Sequence, residues 1–257
     1  MTSTQTMTAG PSARLILTSL LRADFTVFLK NRRALILSIL LPYLILVSTS
    51  SKKGTAHLGG SLFIIGLAIT YGIASTSIMG YSLAVARDRE KGVFQRLRVT
   101  PASTWAIMMS RLSVQVVANL IIALVVVILG ARVHHLSLSP SQYLLVLLVS
   151  ILGGAMFLAI GQVVVAFVKS SETVNSTARL LYVALIFLGL LGQGGSLGHT
   201  WDQVARWSPV GTLMSLFAGV LNLSAWNAHD SECLLVAIGY VLALAIVGIR
   251  WFQWEVR

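Results

Sequence analysis

Six long, nearly uncharged apolar runs constrain this sequence more than anything else in it. They cover approximately Ala34–Thr49, Gly59–Val85, Ile107–Ala131, Tyr143–Val168, Ala178–Gln193 and Cys233–Ile249. A helical run of roughly 17 to 25 mostly apolar residues matches the hydrocarbon thickness of a bilayer. In lipid, backbone N–H and C=O groups need partners within their own segment, which helices provide. The expectation is an all-α polytopic membrane protein with six transmembrane helices. Composition agrees, because 56% of the 257 residues are hydrophobic and only 11% are charged, against about a quarter charged in a soluble domain. Pro42 falls inside the first run and predicts a kink there. The second run is long enough to tilt or to protrude.

Lys and Arg orient these spans. With a cytoplasmic N-terminus, fifteen of the 19 basic residues fall on the inside segments. Only Lys52, Lys53, Arg132 and Arg206 fall outside. This asymmetry is a positive-inside pattern, so both termini are expected in the cytoplasm. The net charge of +11, which in a soluble chain would point to nucleic acid, is thereby assigned to topology, and no nucleic-acid partner is expected. Trp251 and Trp254 follow the last run, where an aromatic belt is expected. The lone cysteine, Cys233, has no intrachain disulfide partner and reads as a small apolar residue.

Residues 1–11 read as a disordered tail. Residues 12–33 are too polar to span. Arg14, Thr18, Arg22, Thr26 and Lys30 recur every four residues and form one polar stripe, while Leu17, Leu21, Phe25 and Phe28 lie on another face. Such a helix lies in the membrane interface or packs on another subunit; its amphipathicity alone allows both. The remainder, 34–257, is the spanning domain.

The most charged stretch lies between the second and third runs. Arg87, Asp88, Arg89, Glu90, Lys91, Arg96, Arg98 and Arg111 supply eight of the 27 charged residues. Gly92 should end a helix continuing from the second run. Phe94 and Leu97 offer apolar anchors at helical spacing, and Thr100-Pro101 suits the start of the next helix. A short helix with charged flanks and apolar knobs fits a groove on a soluble partner. A solvated loop enriched in Arg by topology explains the composition equally well.

This segment resembles the signature of type-2 ABC transporter permeases, the six-helix membrane subunits of bacterial drug, polysaccharide and lipid exporters. Asp88-Arg89-Glu90-Lys91-Gly92, Arg96-Leu97 and Val99-Thr100-Pro101 match it, while Val93, Phe94, Gln95 and Arg98 depart from the residues usual there. The layout is similar as well, with an amphipathic helix, six spans, and a longer outer loop containing Trp207-Ser208-Pro209 before the sixth. The resemblance implies that segment 86–106 couples to a separate ATP-binding-cassette ATPase subunit through Asp88, Arg89, Glu90, Lys91, Gly92, Phe94, Arg96, Leu97, Thr100 and Pro101. It implies that two permeases, identical or related, line the path, with membrane lipids around them. It also implies that residues 193–232 dip back into the membrane.

The chain contains no Gly-Lys dipeptide, so the phosphate loop G-x-x-x-x-G-K-[ST] is not in this sequence. The chain is therefore expected not to be an enzyme and to bind no cofactor, with ATP and Mg on the partner subunit. His134-His135 lacks the further ligands of a metal site, so no metal is expected. Gly194-Gly195-Ser196-Leu197-Gly198 formally matches G-x-S-x-G, but a nucleophile elbow needs a strand before it. A rhomboid-like intramembrane serine protease and a passive channel stay as alternatives. Against a channel, no span centre carries the acidic residue of a cation pore.

Within the spans, Ala68, Gly72, Thr76 and Gly80 form a small-residue stripe that suits close helix packing, within the chain or between two copies. Gln115 and Asn119, spaced four apart after Arg111, and Gln162 in the fourth run are polar at membrane depth. Such side chains hydrogen-bond neighbouring helices or border a substrate path. The few fixed charges favour a hydrophobic or amphipathic cargo, such as a drug, an antibiotic or a lipid.

Overall fold

The computed structural model describes residues 13–30, 32–50, 60–93, 104–191 and 198–251, and among them every regular element is a helix. In chain order these are α1 (Ala13–Lys30), α2 (Arg32–Ser48), α3 (Ser61–Ala74), a π-helical segment π1 (Ser75–Tyr81) and α4 (Ser82–Glu90). They continue with α5 (Thr104–Val133), α6 (Pro140–Phe167), α7 (Ser171–Leu191), α8 (His199–Trp207), α9 (Pro209–Leu221) and α10 (Ala228–Arg250). The α3–π1–α4 unit is one continuous 30-residue helix, Ser61–Glu90.

This unit and α5, α6, α7 and α10 are five helices long and apolar enough to cross a membrane. They correspond to the second through sixth apolar runs. The first run became α2, which at 17 residues sits at the lower limit of roughly 17 for a spanning helix. Pro42 stands inside it without ending it. Between α7 and α10 the chain forms a further pair: α8 and α9 meet at a bend of 72°. Ser208 makes this corner. Its hydroxyl donates to Ala205 O (2.7 Å), closing α8, and accepts from Gly211 N (3.1 Å), opening α9. Pro209 supplies the preset φ of a first helical residue.

The α3 helix is the centre of the bundle. Every residue from Ile64 to Ala74 is buried, and 78% of the Ser61–Glu90 apolar window is inside, against 17% for α10 and 22% for α7. The core around it joins Ile65, Ile69 and Tyr71 to Ile122 and Val126 of α5, Phe157 of α6 and Leu213 and Phe217 of α9. Small residues permit this approach. A Cβ on Gly66 would stand 2.9 Å from Phe217 Cβ, and one on Gly72 would stand 2.8 Å from Ile122. The stripe Ala68, Gly72, Thr76 thus packs within the chain. Gly80 differs, because a Cβ there would meet no atom within 4 Å.

One end of the bundle gathers Arg87, Arg89, Lys91, Arg111, Lys169, Arg179 and Arg250, at the end of α4, the starts of α5 and α7 and the ends of α6 and α10. We call it the basic end. The α1 helix packs against the start of α5, turning Leu20, Leu21, Asp24, Phe25 and Phe28 inward, while Leu15, Val27 and Leu29 stay exposed.

Candidate functional site

The chain terminates α4 at Glu90, and Gly92 takes φ 66°, the left-handed conformation that closes a helix C-terminus. Just before that stop, two adjacent side chains reach into the turn between α6 and α7. Arg89 is 5% exposed. Its guanidinium donates to three main-chain carbonyls, Val165 O (3.0 Å), Val168 O (2.6 Å) and Lys169 O (2.6 Å). A helix C-terminus leaves carbonyls unpaired and favours a cation there, so Arg89 serves α6 as a C-terminal cap. Glu90 does the converse for α7. Its carboxylate accepts from Ser171 N (2.5 Å) and Ser171 Oγ (2.6 Å), supplying an anion at a helix N-terminus. The pair Arg89-Glu90 thus holds both ends of the α6–α7 hairpin from α4.

Asp88, on the other side of α4, forms an ion pair with Arg111 of α5 (2.5 Å). Three consecutive charged residues therefore fasten the end of α4 to α5, α6 and α7. Lys91 is exposed. Phe94, Arg96, Leu97, Thr100 and Pro101 lie outside the described residues, as do Gly194 to Leu197 of the G-x-S-x-G match.

Beside this anchor lies a cavity of about 380 Å³, walled by α1, α2, π1, α4, α5 and α7. Gln115 lines it and, among the described residues, makes no side-chain hydrogen bond. Asn119, one turn deeper, is 1% exposed. It accepts from Thr76 Oγ1 (2.7 Å) and donates to Ser77 Oγ (2.9 Å). Gln162 accepts from Tyr81 OH (2.6 Å), and Ser82 Oγ donates to Gly161 O (3.1 Å). These bonds grip π1 from both sides. A π-helix, with its i→i+5 hydrogen bonds, is rare, and such segments recur at functional sites. Of the three polar span residues, Gln115 faces the cavity while Asn119 and Gln162 tie helices together. An Asn119→Leu variant is expected to lose about 1–2 kcal/mol of stability, read as a lowered thermal midpoint in detergent; an unchanged midpoint would refute the role in holding π1.

The sequence reading did not single out Asp24, Tyr81, Ser171 or Arg179, and it took Gly80 only as part of a packing stripe. Asp24 accepts from Ser110 Oγ (2.6 Å) and docks α1 on α5. Its signal was present: it is the one charge that breaks the Leu/Phe face of α1. Among the described residues no group of three His, Cys, Asp or Glu is placed to hold a metal ion.

Fold and site together define a multi-pass helical membrane protein whose charged anchor and half-polar cavity share one end of the bundle. Comparison with known families gives the class its name. The family model of the ABC-2 type transporter matches residues 16–222, and the chain belongs to that family. It is similar to a protein of Bacillus subtilis (strain 168) named "Putative transport permease YvfS", with 20% identity over 185 residues, 69% of this chain and 71% of that one. Membership makes the chain a transmembrane subunit of an ABC transporter and implies an ATP-binding-cassette partner.

Proposed function

We propose that this chain forms the translocation half of an ABC exporter and couples it to ATP hydrolysis on a separate subunit, where ATP and Mg are bound. The observation that carries the reading is the grip of Arg89 and Glu90 on the α6–α7 hairpin. In this reading the ATPase docks on segment 86–106, on the cytoplasmic side of a bacterial inner membrane, with both termini on that side. A push there is not absorbed locally, because α4 is bonded to the end of α6, the start of α7 and, through Asp88–Arg111, the start of α5. The spans then change packing together, and cargo moves if its affinity differs between the two packings. Two copies, or this chain and a related permease, line the path, and the 72° pair α8–α9 re-enters the membrane from the outer side. The cargo is hydrophobic or amphipathic, in keeping with the apolar walls and few charges of the spans.

The test is co-purification with an ATP-binding-cassette ATPase co-expressed from the same source, followed by ATPase measurement in lipid. Glu90→Ala removes the cap of α7. Gly92→Pro forces φ to about −65° where the chain needs 66°. Both variants, still monodisperse, are expected to lose assembly or coupled hydrolysis. If both assemble and hydrolyse ATP like the native chain, the coupling role is wrong.

A further inference from the structure

The cavity at the basic end has a chemistry of its own. Its volume of about 380 Å³ falls in the roughly 300–1,000 Å³ range of small-molecule sites. One part of its wall is apolar, with Val27 and Phe28 of α1, Met79 of π1 and Val114 of α5. Five of the seven π1 residues line it, and Gly80 leaves room where a side chain would project. Toward the end of the bundle the wall turns basic. Arg87 stands seven residues after Gly80 on the same continuous helix, about 10 Å further along, and Arg179 of α7 faces the same space.

The charges there are not equivalent. Arg111 is engaged by Asp88, and Asp24 accepts from Ser110. Arg87 and Arg179 are exposed and, among the described residues, neither has an ion-pair or hydrogen-bond partner. With three arginines and two aspartates lining the cavity, the surplus is one positive charge: Asp88 offsets Arg111, and Arg87 and Arg179 together outweigh Asp24. A guanidinium offers a planar fork that matches a phosphate or carboxylate in two-point contact.

We propose that this cavity binds a single amphiphile with an anionic head group, the head held by Arg87 and Arg179 and the tail laid along π1 under α1. A resident phospholipid and an anionic cargo molecule share this chemistry. The proposal rests on the membrane-subunit reading only for placing the cavity at a bilayer surface; it needs neither an ATPase nor a second permease copy.

The experiment places the full chain in nanodiscs of phosphatidylcholine and titrates radiolabelled dodecyl phosphate, with dodecanol as the neutral comparison. Native protein is expected to show a saturable component for the phosphate alone. Arg87→Gln with Arg179→Gln should weaken it about tenfold or more, the loss of one or two charge-assisted contacts. Gly80→Phe should remove it while the protein stays folded, because the added ring enters empty space. Arg22→Gln, on the outer stripe of α1, should leave it unchanged. A native isotherm in Gly80→Phe overturns the site. So does an Arg22→Gln loss as large as that of the arginine pair, which would make the binding a general surface-charge effect. Native mass spectrometry then separates the sources. A phospholipid retained by native protein and missing from Gly80→Phe marks a resident lipid; release of bound probe on adding the ATPase and ATP marks cargo. Failure of this binding leaves the coupling test untouched, and failure of coupling leaves the binding intact.

Discussion

Arg89→Ala is expected to destabilise the folded chain by about 3–5 kcal/mol, the cost of stripping the partner from a buried, charge-assisted network. The reason is specific to the place. Three carbonyls, of Val165, Val168 and Lys169, receive that one guanidinium, and at 5% exposure water does not take over. Arg89→Lys keeps the charge but replaces a three-pronged planar donor by a compact ammonium, and should recover only part of the loss. Thermal unfolding in detergent orders the series as native, Lys, Ala. Equal midpoints for native and alanine proteins would show that the α6–α7 turn does not depend on α4, and the transmission argument would fall with it.

Gly211→Ala is the second substitution expected to act strongly. A Cβ at this position would stand 2.1 Å from Ala205 O and 2.8 Å from Arg206 O. Both are main-chain atoms and have no rotamer to move away. The 72° corner between α8 and α9 must therefore open or slide. Since α9 contributes Leu213, Met214, Leu216 and Phe217 to the core at full burial, the shift disturbs the centre of the bundle. A loss of about 3 kcal/mol is expected, seen as lower yield of monodisperse protein and a lower thermal midpoint. Ala205→Gly, which adds no atom and relaxes one side of the corner, should not restore it, because the obstacle is the carbonyl. A Gly211→Ala protein as stable as native would mean the corner is not as tight as described.

The spans were the most legible part of the sequence. The second through sixth apolar runs predict five helices, because burying apolar length in lipid leaves little choice of backbone. They miss the polar ends, so that α7 starts at Ser171 and not Ala178, α10 at Ala228 and not Cys233, and α4 runs on to Glu90. The stripe Arg111, Gln115, Asn119 was legible as one face, and all three do turn toward the α3–π1–α4 helix. Trp207-Ser208-Pro209 reads from sequence only as part of an outer loop; Ser before Pro is a helix-start pattern, but no local signal states the angle. The π1 segment was not legible. Ser-Thr-Ser-Ile-Met-Gly-Tyr suits an α-helix as well, and its register is decided by Asn119, Gly161 and Gln162 from other helices. The partners of Arg89 were hidden for a different reason: they are carbonyl oxygens 76 to 80 positions away, and every residue carries one.

That last point bears on how the anchor tolerates change. A bridge between two side chains is lost when either partner mutates. Arg89 makes its described contacts to the main chain of the α6–α7 turn, so no substitution at Val165, Val168 or Lys169 deletes an acceptor, although Val165 is itself buried in the core and must stay apolar. The mutational burden of the joint therefore rests almost wholly on one side of it. Arg89 is a single point of failure, facing acceptors that persist whatever side chains the turn carries, so long as its backbone keeps its path.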